Sequence, residues 1–183
     1  MKLSYGMLNR LLALMILFVG QVAAEPSDGD TFGNWQVNCE SEAQGAREGC
    51  FIIQNLVLRE GGQRVLQFAI GFVKATPEPI ALLSLALGIS QPTGAEIQVG
   101  EGSPTRVAIE RCELNGCRAG LKLGAELLNE VRSGKQISVT FHDAKREPLE
   151  VPLSLDGFDE GLATLSTSQS KPVGKPADLI PDE

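Results

Sequence analysis

Residues 111–118 read Arg-Cys-Glu-Leu-Asn-Gly-Cys-Arg (RCELNGCR) and bring together two of the chain's four cysteines across an Asn-Gly. Such a pair suits half of a metal site, a redox dithiol, or a staple at the tip of a hairpin. Asn115-Gly116 is a strong hairpin signal, because both residues tolerate the positive φ of a type I′ turn. With that two-residue turn Leu114 faces Cys117, and Cys112 lies diagonally across on the same face. With a four-residue loop Cys112 and Cys117 face each other directly. Either register brings the sulfurs within bridging reach with little backbone movement.

Compartment separates the three chemistries, and the N-terminus speaks to compartment. Lys2 and Arg10 supply a positive lead, and 11–19 (LLALMILFV) is an unbroken apolar run. That run is the length of a secretory h-region and falls short of the roughly 20 residues a membrane-crossing helix needs. Val22-Ala23-Ala24 then offers small residues to signal peptidase, so 1–24 read as a signal peptide cleaved between Ala24 and Glu25. No cysteine flanks the cut for lipid attachment.

In an oxidising compartment an even cysteine count reads first as disulfides. Four cysteines allow three connectivities; hairpin geometry favours the local one, Cys39 with Cys50 and Cys112 with Cys117. Structural zinc uses tight C-x₂₋₄-C knuckles at both ends, and the 39–50 spacing is far too open. A thioredoxin-like role needs C-x-x-C at a helix start, which neither pair provides. The expectation is two structural staples, each stabilising by about 2–3 kcal/mol in the loop-entropy model.

Charge narrows the partners. Without Lys2 and Arg10 the exported form carries 14 basic against 23 acidic residues, a net of −9. An acidic domain repels phosphate backbones and anionic lipid surfaces, and its aromatics are only Trp35 and six Phe with no basic stripe among them. Nucleic-acid binding is therefore not expected, nor stable membrane insertion after signal cleavage.

The rest of the chain reads as short strands. Residues 32–39 (FGNWQVNC) set Trp35 and Val37 on one face, and 50–58 (CFIIQNLVL) turns through Glu60-Gly61-Gly62-Gln63 into 64–73 (RVLQFAIGFV) as a long hairpin. Residues 80–89 (IALLSLALGI) suit a buried strand, a buried helix or a surface patch; a two-sided buried strand leading into 96–99 is the commonest form of such a run. Residues 106–112 and 117–123 flank the Asn-Gly turn. A helical patch at 125–131 follows, with Leu127, Leu128 and Val131 on one face and Ser133-Gly134 as its stop. Residues 136–142 (QISVTFH) alternate cleanly, 149–155 form a last strand, and Asp156 leads a short helix whose Phe158, Leu162 and Leu165 share a face. From 167 to 183 the chain is polar and proline-rich and is expected to be a disordered tail. The pattern predicts an all-β fold, an antiparallel β-sandwich of short strands with two short helices.

Catalytic chemistry is sparse. His142, the only histidine, sits at a strand end beside Asp143, and a hydrolase would need a serine and a carboxylate within its hydrogen-bonding reach. No G-x-S-x-G elbow occurs. The acidic groups at Asp28-Gly29-Asp30 and at Asp156, Asp159 and Glu160 lack an EF-hand pattern. No catalytic, metal or cofactor residues are assigned, and no cofactor is expected.

Taken in order, these motifs form a recognisable set. Phe32-Gly33-Asn34-Trp35-Gln36-Val37-Asn38-Cys39 and Gly49-Cys50-Phe51-Ile52-Ile53-Gln54 resemble the opening of the invasion-associated locus B family. So do Leu85-Ala86-Leu87-Gly88-Ile89 with Pro92-Thr93-Gly94, Cys112-x₄-Cys117-x-Ala119, Leu128-x-x-Val131-x-x-Gly134-x-x-Ile137 and Pro152-Leu153-Ser154-Leu155-x-Gly157-Phe158. Ala86 stands where an LPLG-like segment would carry a proline. The resemblance implies a small exported bacterial domain over 25–166, periplasmic or envelope-associated, non-enzymatic, and named for host-cell invasion by some members. It transfers no catalytic residues. The expected partner is a protein or an envelope component, met at the stapled loops or at a patch of Ile80, Leu82, Leu83, Leu85, Leu87 and Ile89. An exposed patch there would mark the partner site, whereas burial would leave it unlocated. The alternative is a periplasmic small-ligand or metal-binding protein, which requires a concave pocket with convergent polar groups.

Overall fold

A computed structural model describes residues 26–42, 46–73 and 76–169. The chain opens with a tight hairpin, β1 (Thr31–Phe32) and β2 (Trp35–Glu42), followed by β3 (Ala46–Val57), β4 (Arg64–Gly71) and β5 (Ile80–Leu85). A 3-10 turn at Gln91–Thr93 leads to β6 (Ala95–Val99), β7 (Thr105–Val107), β8 (Ile109–Glu113) and β9 (Gly116–Lys122). Helix α1 (Ala125–Ser133), β10 (Gln136–His142), β11 (Pro148–Ser154) and helix α2 (Phe158–Gln169) complete the order. Two antiparallel sheets result: seven strands in the order β1-β2-β3-β4-β5-β9-β8, and four in the order β11-β10-β6-β7. The expected all-β sandwich with two short helices is the observed architecture.

Side-chain alternation decides what each strand buries. Rows run across the inner face of the large sheet in register: Val37, Ile52, Ile70, Ala81 and Leu121, then Gln54, Phe68, Leu83 and Ala119, then Leu56, Leu66, Leu85, Cys117 and Cys112. Opposite them the small sheet turns in Ala95, Ile97, Val99, Val107, Ile137, Val139, Phe141 and Leu153, and all join one hydrophobic cluster. Its outer face stays polar, where the Ser138 hydroxyl donates to Glu150 at 2.7 Å.

The sheets differ in width, and α2 makes up the difference. The small sheet reaches from β7, packed on β9, to the end of β11, where the Ser154 carbonyl accepts a hydrogen bond from the Gln54 amide of β3. Helix α2 lies against β1–β4 and buries Phe158, Leu162 and Leu165 to 1% exposure each, on the face that their spacing predicts. Trp35 is clamped edge-on between Phe68 at 6.2 Å and Phe158 at 5.4 Å. Each aromatic pair adds about 0.5–1.5 kcal/mol beyond burial, which offsets an indole N–H with no acceptor among the described residues.

Three expectations change. Residues 32–39 are not one strand: the chain reverses at Gly33-Asn34, pairing Phe32 with Trp35. Residues 80–89 are not a two-sided strand running into 96–99. β5 stops at Leu85, Gly88 adopts φ +89°, and the chain crosses into the other sheet before β6. Likewise 106–112 divides at Ala108, with β7 in the small sheet and β8 in the large one. At the C-terminus α2 runs to Gln169, three residues past 166; 170–183 lie outside the described residues.

The two ends of the fold meet at a backbone crossing. The Asn34 N–H donates to the Asp156 carbonyl at 3.1 Å, and Gly157, at φ +81°, leaves no room for a Cβ against the Phe32 carbonyl. Gly29 is equally left-handed at φ +88° but has open space around it. Gly29→Ala should therefore cost only the positive-φ penalty, about 1 kcal/mol, while Gly157→Ala should cost at least about 2 kcal/mol more through the clash. Denaturant unfolding followed by the emission of Trp35 measures both, since this tryptophan is buried in the native state.

Candidate functional site

The predicted cysteines pair as the local connectivity requires. Cys39 faces Cys50 across β2–β3, and Cys112 faces Cys117 across β8–β9; both pairs are bonded, with Cα separations of 4.0 and 3.9 Å. Of the two hairpin registers the direct one is found: Glu113 pairs with Gly116, so Leu114 and Asn115 form the turn. Asn115 keeps a negative φ while Gly116 takes φ +127°. A Cβ on Gly116 would collide with the Leu85 carbonyl, so the Asn-Gly serves close packing on β5 rather than a type I′ turn. Both bridges point to the inner face, beside the core.

The proposed apolar patch is not a continuous surface. Leu83 and Leu85 are core residues at 1% and 2% exposure, and Ile80 and Ile89 are half-buried. Only Leu82, at 54% on the outer face, and Leu87, at 56% past the strand end, reach solvent. Period-two alternation sorted a uniformly apolar run into two faces. Ala24 and Glu25 lie outside the described residues.

Exposed apolar side chains collect elsewhere. Among the described residues Val57, Leu58, Leu87 and Leu114 are 51–99% exposed, and all four sit at one end of the large sheet. The Leu56–Leu66–Leu85–Cys117–Cys112 row defines that end. Just beyond it lie Val57 and Leu58 on the β3–β4 turn, Leu87 where the chain leaves β5, and Leu114 at the β8–β9 apex. Five strands at about 4.8 Å spacing make this rim about 19 Å wide. Leu114, at 99% exposure, stands at the apex two residues from a disulfide. The sequence alone sets Leu114 either opposite Cys117 or within a four-residue loop, and Val57 and Leu58 at a strand end. The usable signal was an apolar residue inside a two-residue turn, where polar residues are the rule.

His142 closes β10 and pairs with Pro148. Its carbonyl accepts the Ser90 N–H at 2.8 Å, and its Nδ1 is buried with no partner among the described residues. A shallow cleft of about 480 Å³ lies between the end of α1 and the start of α2, bordered by Lys135, Asp156 and Glu160 and bridged by Arg132 and Asp159 at 3.1 Å. One ion pair, Arg132 with Asp159, spans the cleft, and its other charged side chains, Lys135 against Asp156 and Glu160, are of mixed sign. Among the described residues no three His, Cys, Asp or Glu side chains gather as metal ligands.

Residues 35–166 match the family model described as Invasion associated locus B (IalB) protein. The chain belongs to the IalB family. The described fold from Trp35 to Ser166, with both staples, falls inside that match. Two Invasion protein B homologs from Brucella abortus, of strain 2308 and of biovar 1 strain 9-941, are each 25% identical over 134 residues, covering 73% of this IalB-family chain and 76% of the relative. The crystal structure of invasion associated protein b from Bartonella henselae superposes with a TM-score of 0.66 at 23% identity, over 78% of this chain and 97% of that one. At that identity the likeness is one of fold.

Both staples close short loops, with separations of 11 and 5 residues. Removing either as a double Cys→Ser change should cost about 2–3 kcal/mol, the wider Cys39–Cys50 loop slightly more than Cys112–Cys117. Urea unfolding free energies extrapolated to water, each with its own m-value, check this, since losing a bridge expands the denatured chain. Loss smaller than about 0.5 kcal/mol for both would contradict a stabilising role.

Proposed function

We propose that this IalB-family chain is exported to the bacterial envelope and acts there through contacts rather than catalysis. The observation that carries the proposal is the pair of cross-strand disulfides, which persist in oxidising compartments and are rare in reducing ones. The N-terminal sequence supports the same destination, with a positive lead, an apolar run at 11–19 and Ala24 before Glu25. His142 argues against hydrolysis: its Nδ1 has no partner among the described residues, whereas a triad base has that nitrogen oriented by a carboxylate. The exposed apolar rim of the large sheet is the candidate contact surface. The names of the Brucella and Bartonella relatives extend the proposal to contacts made during host-cell invasion.

The test is expression of the full chain in a Gram-negative host, with fractionation and intact-mass measurement under non-reducing, alkylating conditions. The expected product is periplasmic, begins at Glu25 and takes up no alkylating agent. A cytoplasmic product that retains the first 24 residues and alkylates at its cysteines would refute export.

A further inference from the structure

The apolar rim is also cationic, which is unexpected for this chain. Its turns and adjoining strand ends carry Arg59, Arg64, Arg111 and Arg118 against Glu60, Glu110 and Glu113, all exposed, while the whole chain has 16 basic to 23 acidic residues. Arg111 is paired with Glu113 at 3.4 Å. Arg59, Arg64 and Arg118 have no ion pair among the described residues. All the basic groups here are arginines, whose planar fork binds phosphate oxygens in a bidentate fashion.

We propose that this end of the large sheet docks on an anionic phospholipid surface, with Leu114 and Leu87 inserting among the headgroups and Arg59, Arg64 and Arg118 on the phosphates. The proposal rests on the envelope reading above and names the partner's chemistry. Three features favour a lipid surface over a protein. The apolar side chains project from separate turns and line no groove, and Leu114 at 99% exposure is a probe rather than a wall. An interfacial layer about 5–10 Å deep accepts such isolated side chains without a matching pocket. The disulfide behind Leu114 fixes the hairpin before docking, so little conformational entropy is lost on insertion. Charge also sets the pose: a cationic end on a net-acidic molecule turns that end toward an anionic surface and the remainder away. The contact is peripheral, and among the described residues no helix is long and apolar enough to cross a membrane.

The experiment is vesicle flotation with protein recovered from the periplasm, using phosphatidylglycerol–phosphatidylethanolamine vesicles and pure phosphatidylcholine vesicles. The native protein is expected to float with the anionic vesicles and not with phosphatidylcholine, with binding lost at high salt. Leu114→Asp combined with Leu87→Asp should lower the bound fraction at least about tenfold. Arg59→Gln and Arg64→Gln should each lower it about fivefold. Leu149→Asp, an exposed apolar site on β11, should leave it unchanged. Circular dichroism of each variant confirms that the fold is intact. Absence of native binding, equal binding to both vesicle types, or rim variants that bind like the native protein would each overturn the proposal. So would a concentration-dependent dimer abolished by Leu114→Asp in the absence of vesicle binding, because the rim would then be a protein contact. Export with intact disulfides can stand while vesicle binding fails, so the mass measurement separates the two failures.

Discussion

A seven-stranded sheet presents more inner face than a four-stranded partner can cover, and the fold is organised around closing that gap. The small sheet spans β9 to β3, leaving the inner side of β1 and β2 open. Helix α2 fills this space, and its Phe158 completes the aromatic clamp on Trp35. Without it Trp35, Val37 and Ile52 would face water, and each fully buried large apolar side chain is worth about 1.5–3 kcal/mol. The helix is aimed by the crossing of Gly33 with Asp156 and Gly157, where two backbones approach too closely for any side chain.

A sheet this broad must also avoid slipping and sticking. A one-residue shift in register would turn an entire inner row outward, and the two disulfides oppose it at diagonally opposite corners. Cys39–Cys50 lies near the β1 edge at one end of β3, and Cys112–Cys117 lies at the β8 edge beyond the other. The free edges are blunted in different ways. β1 is two residues long, β7 three, β8 carries Glu110, Arg111 and Glu113, and β11 holds Pro148 and Pro152. Pairing in the native state is thus confined to the intended partners. The same bridge that pins the β8–β9 hairpin makes its apex a firm support for Leu114, which joins the stability of the sheet to the properties of its rim.

Much of this was legible in residue periodicity. The alternation of 136–142 specified β10, and the spacing of Phe158, Leu162 and Leu165 specified the buried face of α2. The cysteines were legible as staples because their spacing suits neither a zinc knuckle pair nor a C-x-x-C redox motif. What escaped was long-range. Local pattern does not state which sheet a strand joins, so the crossings at Ala108 and after Leu85 were invisible. The 80–89 segment was judged by summed hydrophobicity, which carries no direction; in the fold Leu83 and Leu82 point to opposite sides. The exposed apolar rim combines residues 57–64, 87 and 111–118, distant in sequence and joined only by strand order. Nor does local sequence reveal why residue 157 is a glycine: the reason is the Phe32 carbonyl, which the fold sets against it.

The central structural claim is that α2 is an integral wall of the core and not an appended C-terminal helix. Native-state amide hydrogen exchange tests it most directly, because segments of one cooperative unit exchange only through global opening. The account predicts that the amides of Leu162 and Leu165 are protected to the same free energy as those of Ile52 and Phe68 in β3 and β4. Exchange of the α2 amides through a separate low-energy opening, with Ile52 and Phe68 still fully protected, would contradict it.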